Sequence, residues 1–224
     1  QAGQALQGSI AMAAAAEAVD EAGVQGASVA SVPLQLLSAP SGAGKTTALL
    51  RRTEELRSQG QLVWGVACPA SSASGRRVLL LLSSGQELPL QLNDGRPCPA
   101  CVGSGCQDVE VAPGEFGDRS VVAVGNFVFD AAAFEAAETE LLAAPETAGW
   151  VVVDEVGPLE LKQRKGLHTA VEQLLARRRA GGLRETRICV VVRPSLRGAF
   201  LEAYGLAEAD VEDLRLEGLR GWSA

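Results

Sequence analysis

Residues Ala39–Thr47 read Ala-Pro-Ser-Gly-Ala-Gly-Lys-Thr-Thr, and they lie between the apolar run Leu34-Gln35-Leu36-Leu37-Ser38 and the helix-forming stretch Ala48-Leu49-Leu50-Arg51-Arg52. A glycine-rich turn from a buried strand into a helix points successive backbone N–H groups at one spot and makes an anion site at the helix N-terminus. Gly42 and Gly44 let that backbone approach a phosphate without a Cβ in the way. The set Pro40, Ser41, Gly42, Ala43, Gly44, Lys45, Thr46 and Thr47 therefore reads as a phosphate loop. Lys45 would reach the β- and γ-phosphates, and the Thr46 hydroxyl would ligate Mg²⁺. The chain has three lysines, Lys45, Lys162 and Lys165, so Lys45 is not part of a general basic surface. In the usual pattern, G-x-x-x-x-G-K-[ST], the first glycine is here Ala39; alanine is unstrained there only if its φ is negative.

Working outward, the next informative stretch is Trp150-Val151-Val152-Val153, a β-branched run suited to a strand buried on both faces, which ends in Asp154-Glu155. A carboxylate at the carboxyl edge of an α/β sheet lies where such folds bind ligands. Asp154 is the candidate Mg²⁺ carboxylate beside Thr46, since Mg²⁺ takes oxygen ligands and keeps several waters. Glu155, one residue on, points elsewhere and is the candidate for orienting or deprotonating a water. Lys45 and Glu155 are thus the expected catalytic pair.

Between and beyond these two motifs, strands alternate with helices. A helix is expected over 44–58, strands at Leu62–Ala67 and Arg77–Leu82, and a half-exposed edge strand around 88–92 because of Pro89. Val121–Val124 reads as a strand that Phe127–Phe129 continues past Gly125, and 130–144 as a helix with Asp130 at its N-cap. A helix over 166–180, a strand at Ile188–Val192, a short helix at 195–204 and a last strand near 211–216 complete the order. The pattern gives an α/β fold with a mostly parallel sheet and helices on both faces.

Four stretches carry a family resemblance. Val151–Lys162 reads VVVDEVGPLELK, Val124–Leu142 reads VGNFVFDAAAFEAAETELL, SAPSGAGKTT begins at Ser38, and Val190–Ser195 reads VVVRPS. In this order they resemble the cancer-related nucleoside-triphosphatase family (THEP-type NTPases), over about Val32 to Leu206. The resemblance implies a P-loop sheet of the RecA-like, additional-strand type. It also implies Mg²⁺-dependent hydrolysis of ATP, GTP and other triphosphates to diphosphate and phosphate. Ala39 departs from the family pattern, residues 1–30 have no counterpart, and the cysteine-bearing stretch is longer than in a minimal member.

Composition bounds the alternatives. At 224 residues one P-loop domain over 31–224 fits, with a cysteine-bearing excursion at about 93–118 and a leader or docking segment at 1–30. The net charge of −7 argues against general nucleic-acid binding. No stretch approaches the roughly 18 apolar residues of a membrane span. The first residue is Gln, so the chain is expected to start within a longer product or after processing. Residues 1–30 lack arginine and do not read as a transit peptide; they are the expected contact for any protein partner. A cytoplasmic location is expected, with an organellar one left open. Arg177-Arg178-Arg179 reads as the solvated end of a helix.

Cys98, Cys101 and Cys106 form a C-x-x-C knuckle plus one thiol, three ligands of a Zn²⁺ site that needs four, with Cys68 or His168 as the remaining candidates. A redox dithiol, a local disulfide and plain reduced thiols are alternative readings. Cys189 is expected in the core, and His168, the sole histidine, at the surface or its boundary. Arg193 follows a strand whose end faces the site; it would contact the γ-phosphate or pair with a carboxylate. Glu160 belongs to the family motif without an evident role. Three functions fit: triphosphate hydrolysis first, a small-molecule or nucleoside kinase of P-loop fold second, and a nucleotide-binding subunit with little turnover third.

Overall fold

The computed structural model describes residues 32–95, 112 and 114–216. Expectations for residues 1–30 and for Cys98, Cys101 and Cys106 lie outside the described residues.

Seven strands form the main sheet: β1 (Leu34–Ser38), β2 (Val63–Ala67), β3 (Val78–Leu81), β4 (Glu87–Pro89), β7 (Trp150–Val156), β8 (Arg187–Val192) and β9 (Val211–Leu214), in the order β4-β3-β2-β7-β8-β1-β9. From β2 to β9 every pairing is parallel. Strand β8 lies between β1, which leads into the glycine-rich loop, and β7, which ends in the acidic pair. That inserted strand is what defines the additional-strand type, so the expected fold class holds.

Period-two alternation sends successive residues of the central strands into two cores, which is why those strands are mostly apolar. Leu36, Val151, Val153, Ile188, Val190 and Val192 point into one core. That core is closed by α2 (Ala131–Leu142), α4 (His168–Arg179) and α5 (Arg197–Ala203). Their neighbours Leu37, Trp150, Val152, Cys189 and Val191 enter a second core against Leu49 and Leu56 of α1 (Lys45–Ser58). A strand covered on both faces has no position at which a polar side chain is tolerated without a partner. Each fully buried Leu or Val contributes about 1.5–3 kcal/mol. Cys189 is fully buried as expected, and burial pushes its thiol up to about 12.

One strand runs against the parallel frame. β3 pairs antiparallel with both β2 and β4, so β4 returns to the direction of the frame. The link from β2 to β3 is only about ten residues without a helix, shorter than the dozen or more that a parallel crossover needs. β4 is an edge strand, as Pro89 implied. Val121–Val124 (β5) and Phe127–Asp130 (β6) form a separate two-stranded hairpin, turning at Gly125 with φ 55°, where continuation of one strand was expected. Asp130 caps α2, its Oδ1 accepting from the Ala132 N–H at 3.1 Å. A short helix not expected from sequence, α3 (Pro158–Gln163), follows the acidic pair directly.

One glycine fixes the sheet locally. Gly65 of β2 has φ +110°, and a Cβ there would sit 2.1 Å from the Val152 carbonyl oxygen of β7. Only glycine lets the two backbones approach so closely.

Candidate functional site

The carboxyl edge of the parallel strands gathers most of the expected site. After β1 the loop 39–44 turns through Gly42 and Gly44, with φ 78° and 86°, and Gly44 forms the N-terminal boundary of α1. These are left-handed backbone positions that a side chain would strain. Ala39 is buried, and its backbone is not in the positive-φ region, so its replacement of glycine carries no strain.

Lys45 is 6% exposed, and its Nζ donates to the carbonyl oxygens of Ala39 at 2.9 Å and Pro40 at 3.1 Å. The ammonium therefore lies folded over the loop that it follows. The Thr46 hydroxyl donates to Asp154 Oδ2 at 2.8 Å, which joins the two motifs across 108 positions of sequence. Asp154 Oδ2 also accepts the backbone N–H of Cys68, at 3.2 Å, from the residue just after β2. Asp154 is 1% exposed. Burial pushes its carboxyl above the usual aspartate range, against the opposing pull of the Cys68 N–H and the Thr46 hydroxyl. Burial first, and then the Asp154 charge, pushes the Cys68 thiol well up, so it is not a ready nucleophile.

Between Val153 and Val156 the register against β8 shifts by one residue, a bulge at the acidic pair. Bulges re-aim side chains, and here two adjacent carboxylates meet different surroundings. Glu155 is partly exposed, and its Oε1 accepts from Arg193 Nε at 2.7 Å. Of the two contacts open to Arg193 from sequence, the carboxylate pair is the one observed. Among the described residues, no three His, Cys, Asp or Glu side chains converge as a metal-ligand group. The oxygen donors at hand are the hydroxyl and carboxylate of Thr46 and Asp154.

Behind the edge stands Glu160, 3% exposed, whose role the sequence left open. Its Oε2 accepts from the Gly157 N–H at 2.8 Å and its Oε1 from the Leu167 N–H at 3.1 Å. It thus caps α3 and ties in the start of α4. Burial raises its carboxyl to about 7 despite those N–H bonds. The signal was available: Pro158 at the first helical position, with Glu three residues after Gly157, is a helix-start pattern.

Two expectations need correction. His168 is 5% exposed rather than superficial; its Nδ1 lies 3.2 Å from the Tyr204 hydroxyl in the core under α5. The arginines at the end of α4 are not merely solvated. Arg177 bonds Glu146 and the Ala144 carbonyl, Arg178 the Thr186 carbonyl, and Arg179 the Tyr204 and Gly205 carbonyls. They satisfy backbone acceptors of loops on either side of α4 in the chain, which a charge count does not reveal.

Glu140 was also missed. Its Oε1 accepts from the N–H groups of Gly65 (3.3 Å) and Ser83 (2.8 Å), and its Oε2 from the Ser83 hydroxyl (2.6 Å). A carboxylate in the buried stripe Ala133, Ala137, Glu140, Leu141 was its signal.

The fold and the edge geometry define a P-loop protein of the additional-strand class. Residues 35–193 match the model of the NTPase family, and the chain belongs to that family of nucleoside triphosphatases. No curated protein matches the chain. A solved structure, the solution structure of a human cancer-related nucleoside triphosphatase, is similar with a TM-score of 0.54 at 23% identity. The match covers 84% of this chain and 94% of that one, and this likeness bears on the fold.

Proposed function

We propose that the chain hydrolyses nucleoside 5'-triphosphates, ATP and GTP among them, to diphosphate and phosphate in a Mg²⁺-dependent reaction at the loop 40–47 and the acidic end of β7. The observation that carries this reading is the 2.8 Å bond between Thr46 and Asp154, which brings loop and carboxylate together. Their hydroxyl and carboxylate oxygens suit Mg²⁺, which prefers hard oxygen donors and few protein ligands. When bound, Mg²⁺ would neutralise charge on the β- and γ-phosphates.

The chain's own groups do the rest. Backbone N–H groups of residues 41–46 hold the phosphates at the start of α1. Lys45 exchanges its Ala39 and Pro40 carbonyl contacts for phosphate oxygens, in a site that places positive charge before the reaction begins. Glu155 orients the attacking water and takes its proton. Arg193, paired with Glu155 before nucleotide arrives, turns to the γ-phosphate and releases the carboxylate for that task. Substrate binding would then switch on the base that attacks it.

Among the described residues nothing at the edge is set to read a base, and broad triphosphate specificity follows. The kinase alternative would need an acceptor that intercepts the phosphoryl group, and the partly exposed Glu155 favours water. The test is phosphate release from ATP, GTP, CTP and UTP with and without Mg²⁺. Release from several triphosphates that vanishes with EDTA supports the reading. Tight nucleotide binding without release, or transfer to a nucleoside acceptor, overturns it.

A further inference from the structure

A cavity lies at the same carboxyl edge, on the far side of β2 from the phosphate loop. Its volume is about 410 Å³, and Arg76, Arg77 and Arg119 line it together with Pro89, Leu92 and Phe116. A site for a small molecule is typically of roughly 300–1,000 Å³, mostly apolar, with a few convergent polar groups. Three arginines around one cavity run against the charge of a chain with net −7. No carboxylate is among the described residues lining it.

The three arginines are not equivalent. Arg76 is held by Asp94 at 2.7 Å, and Arg119 by Asp130 at 2.7 Å. Those pairs fix two walls of the cavity. Arg77 forms no salt bridge among the described residues. Its Nη1 donates to the Cys68 carbonyl at 2.6 Å, and its side chain is exposed. A guanidinium presents several donors in a planar fork that fits two oxygens of a phosphate or carboxylate, and one carbonyl uses only part of it.

Cys68 connects the two places. Its carbonyl accepts from Arg77 on the cavity side, and its N–H donates to Asp154 on the phosphate-loop side.

We propose that this cavity is a second ligand site, for a phosphomonoester carried on a flat ring system such as a nucleoside monophosphate. Arg77 takes the phosphate oxygens, and the ring lies against Pro89, Leu92 and Phe116. A ligand that draws Arg77 off the Cys68 carbonyl loosens the residue whose N–H braces Asp154. Occupancy of the cavity is thereby coupled to triphosphate binding, and the coupling is reciprocal. This site stands apart from the hydrolysis reading: it can be empty of function in a working triphosphatase, or real in a chain that turns over nothing.

The test is calorimetric titration of the full chain with AMP, after the phosphate loop has been saturated with Mg²⁺ and a non-hydrolysable ATP analogue. GMP, CMP and UMP are titrated in parallel, with adenosine and glucose 6-phosphate as controls for ring and phosphate alone. The expected result is one-to-one binding of at least one monophosphate. Adenosine and glucose 6-phosphate should bind at least tenfold more weakly, and Arg77→Gln should weaken the monophosphate at least tenfold. Leu92→Ala, which leaves the arginines in place, should also weaken it, by about threefold to tenfold, and serves if Arg77→Gln unfolds the protein. No binding by any monophosphate overturns the proposal. So does binding that neither substitution alters, or glucose 6-phosphate binding as tightly as AMP.

Discussion

Asp154 and Glu155 are consecutive in sequence, yet one is buried in a fixed network and the other waits in an open, exchangeable pair. Asp154 takes one bond from Thr46 of the phosphate loop and one from the backbone after β2, so three elements meet on it before any ligand arrives. Glu155 has a single salt bridge to Arg193, whose side chain is 46% exposed. An exposed ion pair is worth roughly 0–1 kcal/mol and can be given up for a phosphate. On the proposed reading, the contrast is a division of labour: the corner assigned to a cation and a polyphosphate is set by the fold, and the corner assigned to water would be released by the substrate.

The comparison can be broken at several points. The largest effect is expected at the fixed corner: Lys45→Ala should lower phosphate release by more than about 10³-fold, because it removes the main side-chain charge on the transferred group. A stopped-flow or coupled phosphate assay reads this directly, and release within tenfold of the unaltered protein would remove Lys45 from the mechanism. Next, Asp154→Asn should raise the Mg²⁺ concentration needed for half-maximal rate by about tenfold to 100-fold, measured by titrating Mg²⁺ at fixed ATP. A Mg²⁺ requirement that does not move would mean the cation is held elsewhere.

Arg193→Ala should have a smaller effect, about tenfold on kcat with KM changed less, since the loss of γ-phosphate contact is partly offset by a freed Glu155. Steady-state kinetics decide this; a fall as deep as that of Lys45→Ala would place Arg193 in the fixed half. The smallest effect is on stability. Glu160 titrates near 7 in the folded chain, above the ordinary glutamate value of 4.5. Between those values the folded state keeps a proton that the unfolded state has lost. Stability therefore falls as pH rises from 4.5 to about 7, by up to about 1.4 kcal/mol per pH unit from this group. Urea denaturation at a series of pH values, with and without Glu160→Gln, measures it; the slope should flatten in the variant.

The fixed corner was legible in the sequence and the open one only partly so. Short-range patterns gave the strand, loop and helix around Gly42, Gly44 and Lys45, and the apolar run gave β7, because the residues themselves state those conformations. The place of β8 between β1 and β7 follows from no local pattern; it came from the family resemblance and stands in the pairing of Val190 with both Leu36 and Val153. The antiparallel direction of β3 was out of reach, since the run Val78-Leu79-Leu80-Leu81-Leu82 is equally apolar whichever way the strand points. Burial of His168 and the carbonyl contacts of Arg177, Arg178 and Arg179 depend on loops distant in sequence. Composition marks those residues only as polar. The Glu155–Arg193 pair spans 38 positions and needs the bulge at Asp154-Glu155, which no spacing reveals.

The most direct test of the central claim is Glu155→Gln, read as two numbers on one sample: ATP affinity in the presence of Mg²⁺, and phosphate release under single-turnover conditions. The fixed corner is untouched by the substitution, so affinity should stay within about threefold while release falls by about 10²-fold or more. Release that stays at the unaltered rate would show that Glu155 does not act on water, and the proposed division between the two corners would be wrong.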